Sequence, residues 1–329
     1  MARLVVIGEG VAATAFLFAL TQKANVDKFS SIIQIANDDL APATSFRSTA
    51  IAALRGTRPG LSPLGDEIVE MWNYTRPLFA REPWSGLKET AVHSWVYSDK
   101  AERRYGHLEK TSASHFSAKK SPRFITTEPG WIIEPATLLA SVPRPKLEKL
   151  KTVMTSLERV GDLWQVGITG GIKIEADVVV LATGPWSEWT RELFVGSPLE
   201  SMKSTQGSFF QWDTADFGAK DFVIGLEGMV CVYHADLQRL ILGATSVSGD
   251  ATFIPHMTEL DAIREAFAAH VDINFPSGKP AIITGLRAQT KGRRPWAGPI
   301  GSNLYAVGGL YKTGWVTAWP LGDRLAAML

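Results

Sequence analysis

The stretch Leu4-Val5-Val6-Ile7-Gly8-Glu9-Gly10-Val11-Ala12-Ala13, which runs straight on into the apolar segment Thr14 to Leu20, constrains the fold of this chain most. A β-branched run, two glycines and an alanine-rich helical pattern read as strand, tight turn and helix, the first half of a βαβ unit. Gly8 permits the sharp reversal, and Gly10 removes the side chain that would keep a pyrophosphate off the backbone. Ala13 stands where a third small residue lets helix pack on strand. The helix then presents unpaired N–H groups and its positive dipole end to phosphates. Ser31-Ile32-Ile33-Gln34-Ile35, after the polar turn Asn25 to Ser30, supplies a second strand. This context favours dinucleotide binding over a purely structural glycine turn. A ribose-binding carboxylate is expected at the end of that second strand, yet Ala36 and Asn37 occupy the place and Asp38 and Asp39 follow late. Either Asn37 or Asp38 takes the hydroxyl, or backbone and water hold the adenosine half.

A chain of 329 residues implies two lobes. A hydrophobic content of 45% with 20% charged residues belongs to a globular protein. The formal charge of +1 and the absence of a long basic run argue against a nucleic-acid partner, since Arg103-Arg104 and Lys119-Lys120 are only doublets. The single Cys231 rules out an internal disulfide and a cysteine-based metal site, which fits a reducing compartment, and its strand-like setting suits a packing thiol. Arg3 ahead of Val11 to Leu20 imitates a signal peptide, but the Gly-x-Gly turn and the immediate strand argue against export, so a cytoplasmic location is expected. No apolar run approaches bilayer length.

Further along, Ala43 to Ala53 contains Arg47, Ser48 and Thr49. It reads either as backbone donors and hydroxyls brought to a flat ligand, or as a helix start capped by Thr44 or Ser45. Leu64 to Phe79 reads as an amphipathic helix. From Arg81 to Gly130 the helical period disappears and Thr90 to Tyr97 alternates, which predicts a contribution to a second, antiparallel sheet. His93, His107 and His115 share no metal-ligand spacing and read as surface or hydrogen-bonded histidines. A helix is expected at Ala136 to Val142 and short strands from Val153 to Gly171. Ala176 to Ser187 is a buried strand ending in Ala182-Thr183-Gly184, as at the carboxyl edge of a parallel sheet where ligands bind. Short strands follow at Gly207 to Trp212, Met229 to His234 and Leu240 to Ala244, then a helix at Glu259 to Ala269. Gly285 to Thr290, Leu304 to Gly309 and a last helix to Leu329 return the chain to the first domain.

Taken in order, these motifs resemble the D-amino-acid oxidase superfamily, in particular its glycine oxidase and sarcosine oxidase branch. The resemblance runs the length of the chain and is most specific at Ala176 to Ser187 and in the carboxyl-terminal segments Gly285-Leu286-Arg287 and Gly308-Gly309 to Gly314. It implies an α/β fold: a Rossmann-like FAD-binding domain assembled from residues 1–80, 131–200 and 281–329, and a substrate domain on an antiparallel sheet from residues 81–130 and 201–280. It implies noncovalent FAD, since Cys231 does not match the cysteine that tethers flavin in sarcosine oxidases. The expected cofactor contacts are Gly8, Gly10, Ala13, Asn37, Asp38, Arg47, Ser48 and Thr49 from the first third. Val153, Thr183, Gly184, Trp186, Gly309, Lys312, Thr313, Gly314 and Trp315 complete them.

By the same resemblance Arg287 matches the arginine that grips a substrate carboxylate, where a planar fork suits two parallel hydrogen bonds. An inter-lobe salt bridge is the other reading of that residue. Lys312, or the helix start at Thr313 to Trp315, is placed to stabilise negative charge on a reduced flavin, with a loop-capping lysine as the alternative. The cofactor carries the chemistry, which suits a sequence with no nucleophile-and-base triad and no metal cluster. The implied reaction removes hydride from the α-carbon of an amino acid or N-substituted glycine, giving an imine that water hydrolyses, with oxygen or another electron acceptor as partner. A flavin-binding accessory protein or dehydrogenase subunit remains the alternative, and a tRNA-modifying enzyme lacks the basic surface. Leu310 departs from the histidine common in relatives, and Arg293 and Arg294 add positive charge that would favour a more acidic substrate.

Overall fold

A six-stranded sheet carries the amino-terminal turn. In the computed structural model, which describes residues 2–23, 25–112 and 116–329, its order is Trp296–Gly301, Leu304–Gly308, Val178–Leu181, Ala2–Ile7, Phe29–Ala36 and Glu148–Lys151. Only the first pair is antiparallel. The central strands are apolar on both faces because both faces are covered. Leu4 and Val6 lie under the helices Val11–Gln22 and Gly314–Ala326, while Val5, Ile7, Val179 and Leu181 face a three-stranded antiparallel sheet, Met154–Val160, Leu163–Ile168 and Lys173–Ala176. The strand Ala2–Ile7 has Phe29–Ala36 on one side and Val178–Leu181 on the other, so the chain reverses direction across the sheet here and leaves a crevice at the carboxyl ends.

The helix Pro63–Arg81 starts two-fold signalled, with Ser62 accepting from Gly65 N–H and a proline in its first turn. From its buried face Trp72, Leu78 and Phe79 enter an aromatic cluster. Trp84 stacks on Trp319 at 4.8 Å, Phe18 and Phe79 meet Trp84 edge-on, and Trp72 meets Trp131 at 5.5 Å. Such pairs each add about 0.5–1.5 kcal/mol beyond the area they bury. The cluster ties Trp84 and Trp131 to the two helices that back the crevice.

The second sheet has ten strands. All its pairings are antiparallel except Leu87–Val96 with Phe222–Leu226, whose register Val92↔Val223 runs parallel. Phe124–Ile133 and Ala281–Gln289 both belong to it, so the chain leaves this sheet after residue 133 and again after residue 289. Lys203–Trp212 pairs with Ala281–Gln289 in the register Thr205↔Arg287 and Gly207↔Gly285. The helix Met257–His270 covers this sheet through Leu260 and Phe267.

Between residues 43 and 53 no α-helix forms. A four-residue 3₁₀ turn, Thr44–Arg47, gives way to extended backbone and the short strand Ile51–Ala52. The Ser45 hydroxyl bonds a distant N–H instead of capping its own segment, and Ala50 sits at φ +47, which stops helical continuation. Among the described residues no helix is long and apolar enough to cross a membrane.

Candidate functional site

The glycine turn is closed by backbone on both sides. Gly8 holds φ +117, its N–H donates to Ile35 O at 2.9 Å, and a Cβ there would lie 2.3 Å from Ala182 O. Only glycine fits that approach of two strand ends. Gly10 occupies the cap position of Val11–Gln22 with extended backbone, and that helix has no acidic residue in its first turn. The Val11 N–H donates to Ser45 Oγ at 2.9 Å, and a Cβ on Gly10 would come within 3.0 Å of the same hydroxyl. No acidic residue of the helix's own first turn balances its positive end, and the neighbouring Glu9 is paired with Lys149, so that end is open to an anion.

From this turn a cavity of about 720 Å³ runs between Ala36 and Ala182, past Ser48 and Thr49, to Arg287 and the segment Tyr311 to Trp315. That size lies in the upper part of the range of cofactor and ligand pockets. A glycine turn fit for a pyrophosphate at one end, with a long, mostly apolar course beyond, suits an extended dinucleotide. Of the residues singled out in the sequence, Gly8, Gly10, Asn37, Ser48, Thr49, Val153, Thr183, Gly184, Trp186, Arg287, Gly309, Lys312, Thr313, Gly314 and Trp315 line it. Ser48 Oγ accepts from Trp315 Nε1 at 3.1 Å, and Trp186 Nε1 donates to Pro42 O at 3.2 Å, so both tryptophans are fixed by polar contacts across the cavity wall.

Three expected residues, Ala13, Asp38 and Arg47, do not line the cavity. Ala13 is fully buried among Leu4, Val6 and Phe16. The Asp38 carboxylate accepts from Ala43 N–H at 2.7 Å and pairs with Arg47 at 3.2 Å. The Asn37 side chain, although beside the cavity, accepts from the N–H groups of Asp39 and Leu40 at 3.1 and 3.4 Å, closing its own turn. Both acceptors that the sequence offers a ribose are thus engaged in folding residues 37–47. His93 lies on Leu87–Val96 and His107 follows the helix Asp99–Tyr105, while His115 lies outside the described residues. Cys231 is buried away from the cavity, and burial pushes its thiol up.

At the far end Arg287 is held inside the protein. Its Nη1 donates to Thr245 O at 3.0 Å, and its guanidinium lies over Gly207, where a Cβ would be 2.1 Å from both terminal nitrogens. Burial lowers its pKa, and no carboxylate among the described residues opposes that shift. A buried cation left without a counter-ion is costly, so an entering carboxylate is favoured. Lys312 projects into the cavity, exposed to it but enclosed by the walls: burial first, then Arg287 and Arg55, push its ammonium below the ordinary value, against the opposing effect of Tyr311. Tyr311, at φ +47, donates its N–H to Ala288 O at 3.0 Å. Burial would raise its phenol, but the Ser246 hydroxyl, Lys312, Arg293 and Arg287 bring it below the usual tyrosine value. The start of Gly314–Ala326 also faces the cavity and has no side-chain cap. Gly207, Arg55 and Tyr311 are site residues that the sequence does not mark, and Ser45 is marked there only as a helix cap. For Ser45 the one available signal was its place in the hydroxyl-rich segment 43–53.

The sequence model of the family described as FAD dependent oxidoreductase matches residues 3–328. Among curated proteins, none matches in sequence. The fold is similar to solved structures of glycine oxidase from Bacillus cereus (TM-score 0.79, 16% identity, 99% of this chain and 96% of that one) and of iminodiacetate oxidase from Chelativorans (0.73, 15%, 99% and 94%). It is also similar to L-α-glycerophosphate oxidase from Mycoplasma pneumoniae with FAD bound (0.72, 13%, 100% and 95%).

Proposed function

Because the chain belongs to the D-amino-acid-oxidase family of FAD-dependent oxidoreductases, we propose that it oxidises the C–N bond of a small amine that carries a carboxylate, an amino acid or N-substituted glycine. FAD, when bound, accepts the hydride removed from the α-carbon. The residues of this chain bind, orient and exclude water. Gly8, Gly10 and the start of Val11–Gln22 would take the pyrophosphate, and the span from Thr183 to Trp186 with Gly309 to Trp315 would border the ring. Arg287 would hold the substrate carboxylate in its fork, and Lys312 with the start of Gly314–Ala326 would stabilise negative charge developing on the ring. Ile51, Ala53, Val230 and Ala244 give the substrate end apolar walls that exclude water. FAD is held without a covalent bond, the buried Cys231 being out of reach.

The observation that carries this reading is Arg287, a buried guanidinium anchored to Thr245 O, with the Tyr311 phenol but no carboxylate among the described residues opposing its shift. The names of the glycine oxidase and iminodiacetate oxidase relatives support a carboxylate-bearing amine over an alcohol. The test is anaerobic flavin reduction by glycine, sarcosine, D-amino acids, proline and iminodiacetate, followed by Arg287→Ala. The variant is expected to keep FAD and to lose about 2 to 5 kcal/mol of transition-state stabilisation, roughly 30- to 4,000-fold in kcat/KM. Arg287→Lys should recover only part of that, since an ammonium cannot reproduce a two-pronged contact. An Arg287→Ala protein as active as the parent refutes the anchor.

A further inference from the structure

The charge of the cavity is one-sided. Arg55, Arg104, Arg287, Arg293 and Lys312 line it, against a single carboxylate, Glu9, which sits in the glycine turn and pairs with Lys149 at 2.5 Å. The phosphate cradle at that turn is built from backbone N–H groups and the Ser45 hydroxyl, so it does not account for the cations. They gather at the opposite end: Lys312 Nζ and Arg293 Cζ lie 5.4 and 5.5 Å from the centre of the Tyr311 ring. Tyr311 in turn bonds the backbone beside Arg287. One substrate carboxylate would answer Arg287, and Glu128 reaches only Arg55 and Arg104, from outside the cavity, so the cavity keeps an excess of positive charge.

Arg55 shows signs of deliberate placement. Its backbone is left-handed, φ +51, a conformation that costs a non-glycine residue about 1–3 kcal/mol. Four of the seven such residues among those described, Ala50, Arg55, Arg293 and Tyr311, line this cavity, so the strain is concentrated at the site. The loop is clamped from outside. Arg104 Nε donates to Arg55 O at 2.8 Å, the buried Glu128 accepts from Gly56 N–H at 3.2 Å, and Gly56 is wedged against the Tyr105 ring. Glu128 thus holds the backbone of the Arg55 loop and partly balances the charges of Arg55 and Arg104 from outside, while the Arg55 side chain still lines the cavity.

Resting on the amine-oxidation reading above, we propose that the substrate carries a second anionic group, carboxylate or phosphonate, held by Arg55 with Lys312 while Arg287 holds the first carboxylate. The first test uses FAD-loaded protein and ligands that cannot be oxidised. Acetate, succinate and phosphonoacetate are titrated while the flavin spectrum reports binding. Succinate or phosphonoacetate is expected to bind at least tenfold more tightly than acetate, and whichever leads identifies the second group. Arg55→Met should abolish that preference, weakening the dianions far more than acetate. Arg55→Gly, which suits the left-handed backbone, should do the same with the loop intact. Equal affinity for acetate and the dianions, or a preference that survives both variants, overturns the proposal. The second test compares kcat/KM for iminodiacetate, aspartate and N-(phosphonomethyl)glycine with that for glycine and sarcosine. If the monocarboxylates react as well as the dianions, the second-anion proposal fails while amine oxidation stands. If no amine reduces the flavin but succinate still binds through Arg55, the two-anion site stands and the amine reaction fails.

Discussion

Gly207 is the sharpest place to perturb the site without touching the residue that binds. In the strand Lys203–Trp212 its backbone suits alanine, yet an added Cβ would sit 2.1 Å from both terminal nitrogens of Arg287 and 2.2 Å from its Cζ. Non-bonded carbon and nitrogen need roughly 3.5 Å, so the guanidinium must move by more than about 1 Å. That breaks the 3.0 Å bond to Thr245 O. The clash is with the end of a flexible side chain and not with backbone, so fold and FAD content should survive. Losing the aligned charged contact costs about 1.5–3 kcal/mol, which is roughly 10- to 150-fold in kcat/KM. Because the carboxylate is held before and during the reaction, most of the loss should appear in KM. The assay is steady-state oxidation of a reactive amine by Gly207→Ala and parent at equal flavin content, with thermal unfolding as the control. A variant within about twofold of the parent would show that Arg287 does not work from the position seen here.

At the other end, Gly10→Val would drive a branched side chain into Ser45 Oγ, already 3.0 Å from a bare Cβ, and into the phosphate approach. The purified variant should lose FAD, measured as the ratio of flavin to protein absorbance, and full retention would refute the cradle. Glu128 gives a pH dependence: burial raises its carboxyl from 4.5 to about 7, only partly offset by Gly56, Arg55 and Arg104. The folded state favours the protonated form, so this contribution to stability is fully present below about pH 4.5 and is lost as pH rises through about 7. The shift corresponds to about 3 kcal/mol. Denaturant unfolding at pH 5 and pH 8 should show a larger fall for the parent than for Glu128→Gln, and identical slopes would contradict the assignment.

What could be read in the sequence was local. The run Leu4 to Ala13 and the strand Val178–Leu181 announce themselves because a buried parallel strand needs a continuous apolar string and a glycine turn needs its glycines in series. Met229–His234 and the helices at 63–81 and 257–270 follow from period alone. The hidden features depend on partners far away in the chain. Gly207 matters because register places it beside Gly285 and under Arg287, eighty residues later. Ser45 matters because it meets Val11 N–H. That Asn37 and Asp38 close the loop with their own side chains shows in no local pattern. The segment 43–53 has the composition of a helix start, but its hydroxyls find tertiary partners first.

The most direct measurement is the absorption spectrum of the purified protein, or of protein reconstituted with FAD, before and after acid precipitation. A two-banded flavin spectrum with the yellow species released into the supernatant is expected, as FAD held only by the glycine turn and the cavity walls requires. Colourless protein that cannot take up FAD would contradict the reading of the cavity, and flavin remaining in the pellet would contradict noncovalent binding.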